Sequence, residues 1–117
     1  MSMTPKRRLP IYTTNDAPVG YHIERTLGLC WGITVRSRDV VANAIAGFRT
    51  IVGGEINELS ELAENAREQA LERLEANAQQ MGANCIIGMR FDSTEIMQST
   101  NEIIAYGTAV VVVPISE

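Results

Sequence analysis

The sequence predicts an α+β domain in which one long helix packs on an antiparallel sheet. Residues 21–35 alternate between apolar and other residues, which is typical of a strand. Residues 60–81 carry an apolar stripe at helical spacing. The last run, 103–113, is apolar on both of its faces. Because a strand of that kind is buried on both sides, we expect it at the centre of the sheet, with a cover on each face. The long helix supplies one cover, and a second copy of the chain is the candidate for the other.

The first strand is longer than the usual five or six residues, so we expect a bend at Gly28 or Gly32. Its alternation separates large apolar residues on one face from polar or small residues on the other. The large ones are Ile23, Leu27, Leu29, Trp31, Ile33 and Val35. We expect Gly28, Gly32 and Gly88 on the face away from the helix, where they would let another subunit approach closely.

Two helices are predicted between the first strand and the next. Residues 39–50 form a short one, which Asp39 or Ser37 can cap. Residues 60–81 form the long one, capped by Ser60 and ended by Gly82. Its stripe is rich in alanine, which predicts close packing on the sheet. The glutamates expected on its solvent side are Glu64, Glu68, Glu72 and Glu75.

The remaining segments complete the predicted domain. Residues 83–92 alternate as a third strand, and the polar connection 93–101 can form the arms of a long hairpin. The residues expected to share one face of the third strand are Cys85, Ile87, Met89 and Phe91. Residues 11–14 predict a short edge strand. Residues 1–10 lack a core-forming pattern and are expected to be a disordered tail, so the single domain is 11–117.

Composition narrows the class of protein. The 117 residues fit one domain, and the net charge of −4 argues against nucleic acid as a partner. No apolar run reaches the roughly 18 residues of a membrane span. The two cysteines, Cys30 and Cys85, form no close pair, which argues against a disulfide framework. We therefore expect a cytoplasmic protein with reduced thiols that binds no membrane.

Five short motifs, taken in order, resemble the YbjQ-like family of small bacterial and archaeal proteins. They are Ile33-Thr34-Val35-Arg36-Ser37-Arg38, Ile51-Val52-Gly53-Gly54-Glu55, Met81-Gly82-Ala83-Asn84, Arg90-Phe91-Asp92 and Ala105-Tyr106-Gly107-Thr108-Ala109-Val110. The resemblance implies a dodecin-like β-α-β-β subunit with the last strand in the middle. It also implies extra short strands and assembly into a ring-shaped homopentamer. The family carries a heavy-metal-binding label without an established biochemical function.

Metal binding is one candidate function, and a metal ion is the candidate cofactor. Soft metals favour converging thiolate and imidazole ligands, which directs attention to Cys30 and His22. Alternation predicts that Cys30 and Cys85 lie on opposite faces of the sheet, so one subunit should not join them. A ring can bring copies of Cys30 or His22 together. The competing interpretations are a buried, inert cysteine and a lone surface histidine.

Anion binding is a second candidate chemistry. Arg36, Ser37 and Arg38 precede a predicted helix N-terminus, where N–H groups and guanidinium groups suit an anion. The other candidate ligand-binding residues are Gly53, Gly54, Glu55, Arg90 and Asp92. Asp92, with Glu95 and Glu102, can hold a hard cation or form structural ion pairs with arginines.

The chain has one histidine and no recognisable nucleophile–base pair or phosphate loop, so we expect no enzyme. The favoured hypothesis is a homo-oligomeric, pentameric binding or scaffold protein, with any small ligand at subunit junctions. Alternatives are a heavy-metal-binding protein and a small enzyme with a site across subunits. The enzyme's site would use Arg36, Arg90, Asp92 and Glu55.

Overall fold

The computed structural model describes residues 9–37, 57–98 and 100–116, and their side chains except those of residue 37 and residues 57–62. Its elements are strand β1 (Tyr21–Ser37), helix α1 (Asn57–Gln80), strand β2 (Cys85–Met97) and strand β3 (Thr100–Pro114). The strands form an antiparallel sheet in the order β1-β3-β2. The predicted α+β class and the central position of the last strand are confirmed. The helix predicted at 39–50 lies outside the described residues.

Strands β2 and β3 form one long hairpin. The connection predicted at 93–101 is itself extended, because Glu95 pairs with Asn101 and Met97 with Thr100. This confirms the expected hairpin arms. The side chains of β2 are exposed from Arg90 to the tip, so the distal half of the hairpin projects into solvent within the described chain.

Bulges in β1 and β2 change which residues share a face. In β1 the register shifts between Thr26 and Gly28, where Gly28 has φ 122°, which confirms the predicted bend. In β2 it shifts between Ile87 and Arg90, around Gly88 with φ 62°. A bulge sets an extra residue against one partner and so reverses the later alternation. The prediction of one shared face for the four residues of β2 was therefore wrong. Cys85 and Ile87 lie on one face, and Met89 and Phe91 on the other.

The alanine stripe of α1 packs on the sheet, as predicted. Its buried members are Ala66, Ala70, Leu74 and Ala78. They contact a face formed by Cys30, Ile86, Met89, Ala105 and Ala109. Despite its length, α1 is not apolar enough to span a membrane, and neither is any other helix of the described ranges.

Gly32 allows α1 to lie directly against β1. A Cβ atom at Gly32 would stand 2.2 Å from both the Ala70 carbonyl oxygen and the Leu74 backbone nitrogen. The expectation that Gly28 and Gly32 face away from the helix was therefore wrong. The backbone that approaches Gly32 belongs to α1 of the same chain, because only a residue without Cβ admits a helix so near the strand.

Most of the large apolar residues of β1 consequently lie on the face opposite α1. Leu27 is the exception and corrects the prediction of one shared face, because it lies at a register shift and packs on the helix-side core. Part of that face is covered by the chain itself, since Ala17 and Ile23 pack on a small buried cluster. The cluster comprises Cys85, Ile87, Val110 and Val112. The rest of the face has no cover among the described residues.

The segment before β1 runs along the outer edge of β2, as predicted, but it forms an isolated bridge from Ile11 to Ile86 rather than a strand over 11–14. Ile86 N–H donates to the Pro10 carbonyl at 3.0 Å, and Tyr12 N–H donates to the Ile86 carbonyl at 2.8 Å. Leu9, which precedes the predicted domain boundary at 11, is buried. Its N–H donates to Glu75 Oε2 at 2.7 Å, and Glu75 is itself buried. The solvent-side position expected for Glu75 was therefore wrong, because this segment packs over it.

Candidate functional site

The uncovered part of the sheet presents an apolar surface, which we call the open apolar face. Its members are Leu29, Trp31, Ile33, Val35, Ile104 and Tyr106. Trp31 lies opposite Tyr106 and Ile33 opposite Ile104, so the face spans two strands. Leu29 is 61% exposed and Trp31 47% exposed, although both are strongly apolar. Five of the six residues line a shallow depression of about 520 Å³.

The same face becomes polar towards β2. Arg90 pairs with Tyr106, Asp92 with Ile104 and Thr94 with Glu102. Arg90 Nη1 donates to the Thr13 carbonyl at 2.7 Å and to the Met89 carbonyl at 2.8 Å. Arg90 is therefore tied to the edge segment rather than free in solvent. A molecule covering this face would meet apolar groups along β1 and polar groups along β2.

Side chains of α1 occupy the outer edge of β1. Trp31 N–H donates to Asn77 Oδ1 at 2.9 Å, and Arg73 Nη1 donates to the Ile33 carbonyl at 2.6 Å. An exposed strand edge is a template for pairing with another strand, and here side chains use its free groups. Another molecule therefore meets the face of β1 at this point more readily than its edge.

A second depression lies between α1 and the hairpin, and we call it the helix–hairpin cleft. It has a volume of about 340 Å³ and is lined by Ala63, Arg67, Phe91, Asp92, Ser93 and Ile103. Phe91 and Ser93 face α1, because their partners across the ladder are Ala105 and Ile103. The Arg67 guanidinium carbon stands 5.7 Å from the centre of the Phe91 ring, a cation–π distance.

The candidate anion-binding residues fall in different places. Arg36 lies on the helix side of β1, where its Nη2 donates to Gln69 Oε1 at 3.1 Å. Ser37 ends β1 opposite Thr100. Arg90 and Asp92 lie on the open side of the sheet. Arg38, Gly53, Gly54 and Glu55 lie outside the described residues. One subunit thus separates Arg36 from Arg90 and Asp92 by the thickness of the sheet.

The candidate metal ligands also lie far apart. Cys30 is buried beneath α1, whereas His22 is exposed near the start of β1. Eight positions along a strand correspond to roughly 25 Å. Cys85 lies on the opposite face from Cys30, as predicted. In the ranges that the structure describes, no three His, Cys, Asp or Glu side chains are grouped to hold a metal ion.

The predicted carboxylate cluster is divided as well. Glu95 pairs with Asn101 on the helix side, while Asp92 and Glu102 lie on the open side. Asp92 Oδ1 accepts the Ser93 N–H at 2.8 Å. Alternation along the hairpin therefore prevents these three carboxylates from converging within one subunit.

The environment of Cys30 makes its thiol unreactive. Burial raises the pKa of Cys30 to about 11, although hydrogen bonds to backbone groups, including one to the Gly107 carbonyl at 3.5 Å, lower it. Burial raises the pKa of Cys85 as well. Since the thiolate is both the nucleophile and the metal ligand, neither cysteine is poised for these roles at neutral pH.

We expect iodoacetamide to alkylate Cys30 at pH 8 about a hundredfold more slowly in the native protein than in urea. A rise of the thiol pKa from 9.0 to about 11 lowers the fraction of thiolate at pH 8 by about that factor. Peptide mass mapping would measure the rate. Native stability should also fall as pH rises from 9 towards about 11, because the unfolded thiol releases its proton first. The fall should shrink in Cys30→Ala. Equal alkylation rates in the two states would contradict the buried, protonated thiol.

Comparison with known proteins supports the resemblance read from the motifs. The YbjQ_1 family model, described as "Putative heavy-metal-binding", matches residues 10–113. A UPF0145 protein of Bradyrhizobium sp. (strain ORS 278) is 53% identical over 104 residues, covering 89% of this chain and 94% of the relative. A UPF0145 protein of Thermoplasma volcanium is 48% identical over 114 residues, covering 97% and 93%. These descriptions name no reaction.

A solved structure shares the fold. It is the crystal structure of a protein of unknown function, of the DUF74 family, from Pediococcus pentosaceus. The TM-score is 0.56 at 15% sequence identity, with 90% of this chain and 98% of that chain covered. At this identity the likeness concerns the fold alone.

The sequence indicated the open apolar face but not the cleft. The six large apolar residues of β1 and the doubly apolar β3 were visible as a pattern. No comparable pattern connects Arg67 with Phe91, because the two meet only when α1 is laid across the sheet.

Proposed function

This chain belongs to the YbjQ_1 family, and we propose that it is a homo-oligomeric binding or scaffold protein whose subunits associate through the open apolar face. One observation carries the proposal: Leu29 and Trp31 stand exposed on a sheet face that also includes Ile33 and Ile104. Contiguous apolar surface of this kind marks an interaction site on a soluble protein.

A second copy of the chain suits this face for two reasons. Side chains of α1 close the nearby edge of β1, which favours contact through the face. The hairpin also carries Ile96 and Met97, 49% and 64% exposed, near the Val35 end of the open apolar face, because Val35 pairs with Glu102 and Glu102 with Thr94. They enlarge the apolar surface that another copy would cover. Head-to-tail contacts through such a surface close into a ring when the rotation permits.

The proposed ring has five subunits and a dodecin-like arrangement of each sheet. The resemblance to the YbjQ-like family supports the number, and the helix-covered three-stranded sheet supports the subunit form. Any ligand at a junction would meet residues such as Arg90 and Asp92, which adjoin the open apolar face. Cys30 and Cys85 are free thiols, which suits a cytoplasmic location.

Heavy-metal binding is the alternative that the family description favours. Because His22 and Cys30 are separated within a subunit, a site that uses them would take ligands from several copies. A small enzyme with Arg36, Arg90 and Asp92 would likewise need groups from different subunits, since these lie on opposite faces of one sheet.

Native mass spectrometry of the purified protein at micromolar concentration tests the proposal. We expect one assembly of five copies. A monomer would contradict association, and another copy number would contradict the pentamer alone. Stoichiometric zinc, copper or nickel that is retained by the wild type and lost in Cys30→Ala would instead favour the metal alternative.

A further inference from the structure

We propose that the helix–hairpin cleft binds a small organic monocarboxylate. Arg67 receives the carboxylate, and Ala63, Phe91 and Ile103 contact the apolar body of the ligand. The site lies within one chain, so it goes beyond the association of subunits.

The cleft exists because α1 leans towards β1. Three side chains of α1 form hydrogen bonds with β1: Gln69 Oε1 accepts from Thr34 Oγ1, Asn77 Oδ1 accepts from Trp31 N–H, and Arg73 Nη1 donates to the Ile33 carbonyl. The N-terminal half of α1 therefore leaves the helix side of β2 partly uncovered. Phe91 is 39% exposed there although Ala105, its partner across the ladder, is fully buried.

Arg67 supplies the positive charge of the cleft. The ring of Phe91 holds its guanidinium group, which lowers the entropy lost when a ligand binds. Arg67 is an exposed residue, so its guanidinium group can be reached from solvent. Its planar N–H groups can donate to both oxygens of a carboxylate. The charge is thus positioned and available.

The polar residues of the cleft favour a singly charged ligand. The Ser93 hydroxyl can act as a second donor, while the Ser93 N–H is already used by Asp92 Oδ1. Asp92 borders the cleft from the open side of the sheet, so its negative charge offsets Arg67 only in part. The exposed Glu64 lies one helical turn from Arg67 and acts in the same direction. A dianionic phosphate would be repelled more strongly than a monocarboxylate.

The dimensions favour a small molecule. Ligand pockets commonly measure about 300–1,000 Å³, and the cleft lies at the lower end of that range. Its apolar lining suits a flat or branched hydrocarbon body beside the carboxylate. Benzoate has both features and is a suitable probe.

The test titrates the full-length protein with benzoate and follows backbone amide shifts by NMR. We expect saturable shifts at Phe91, Ser93 and Ile103, and none of that size with benzyl alcohol, the neutral analogue. Arg67→Gln should weaken benzoate binding about tenfold, because a hydrogen bond to a charged group is lost. Arg25→Gln, an equal change of charge at an exposed position of β1 remote from the cleft, should leave binding unchanged.

Ala63→Phe gives an independent check, since the added ring fills the cleft and should abolish binding while Arg67 remains. The proposal is overturned if benzoate does not bind at millimolar concentration. It is overturned equally if Arg67→Gln and Arg25→Gln weaken binding alike, or if inorganic phosphate displaces benzoate at equal concentration. Binding that persists in a monomeric variant supports a site within one chain, whatever the oligomeric state of the wild type.

Discussion

Replacing Leu29 by arginine is expected to convert the oligomer into folded monomers. The Leu29 side chain is 61% exposed in one subunit, so the substitution removes little packing within it. In the proposed assembly the same position is buried against another copy, where an unpaired guanidinium is strongly unfavourable. We expect the dissociation constant to rise about a hundredfold or more, from the lost apolar contact and the buried charge together.

Trp31 gives this experiment a direct readout, because it is the one tryptophan of the sequence and lies on the open apolar face. Its emission should shift to longer wavelength when Leu29→Arg exposes it, in step with the fall in mass measured by light scattering. Asn65→Arg places the same charge on an exposed position of α1 and should leave the assembly intact. An oligomer of unchanged affinity in Leu29→Arg would show that subunits associate elsewhere.

Replacing Gly32 by alanine is expected to destabilise the fold more than the addition of a single methyl group at any other position of β1. The new Cβ would lie 2.2 Å from two backbone atoms of α1, and backbone cannot rotate away as a side chain can. Either α1 must move off the strand or the contact must be strained. We expect a loss of about 3 kcal/mol or more in the free energy of unfolding, at or above the usual range for overpacking. Urea denaturation would measure it.

Gly82→Ala is the matched control for that loss. Gly82 has φ 92°, a conformation that alanine rarely adopts, but its Cβ would meet nothing within 4 Å. The substitution should therefore lower the free energy of unfolding by about 1 kcal/mol, through backbone strain alone. If Gly32→Ala cost no more than Gly82→Ala, then α1 would not rest on β1 as closely as described.

Local periodicity made much of the secondary structure predictable. The strand at 21–35 and the helix at 60–81 agree with β1 and α1 to within a few residues. Both patterns arise because one face of the helix or strand is buried and the other is exposed, which is common to folded domains. The doubly apolar run at 103–113 likewise predicted the central strand, because central strands are the ones most often buried on both faces.

The assignment of faces was less predictable. The sequence pattern separates the two faces of β1 but does not say which one meets α1. The size of the apolar side chains suggested that their face meets α1. In the structure Gly32 and Cys30, from the other face, lie beneath the helix. The bulge at Gly88 then reversed the alternation of β2, and the two register shifts of β1 before Gly28 moved Leu27 to the helix side. A single glycine does not reveal whether it bends a strand or admits a helix.

The candidate site residues show the same limit. Cys30, Arg36 and Asp92 were selected by residue type and neighbours in sequence, and the fold places them in different environments. The cleft at Arg67 and Phe91 depends on the lean of α1 towards β1, which no short motif records.

The sequence by itself determined the elements of this protein, the central place of β3 and its membership of the YbjQ_1 family. The tertiary structure decided which face of the sheet the helix covers and which remains open. The physical reason is that the periodicity of a sequence indicates whether a residue is buried. Which group covers that residue depends on segments that are distant in sequence. At Gly32 that backbone is α1, and at Leu29 and Trp31 we propose that it is another copy of the same chain.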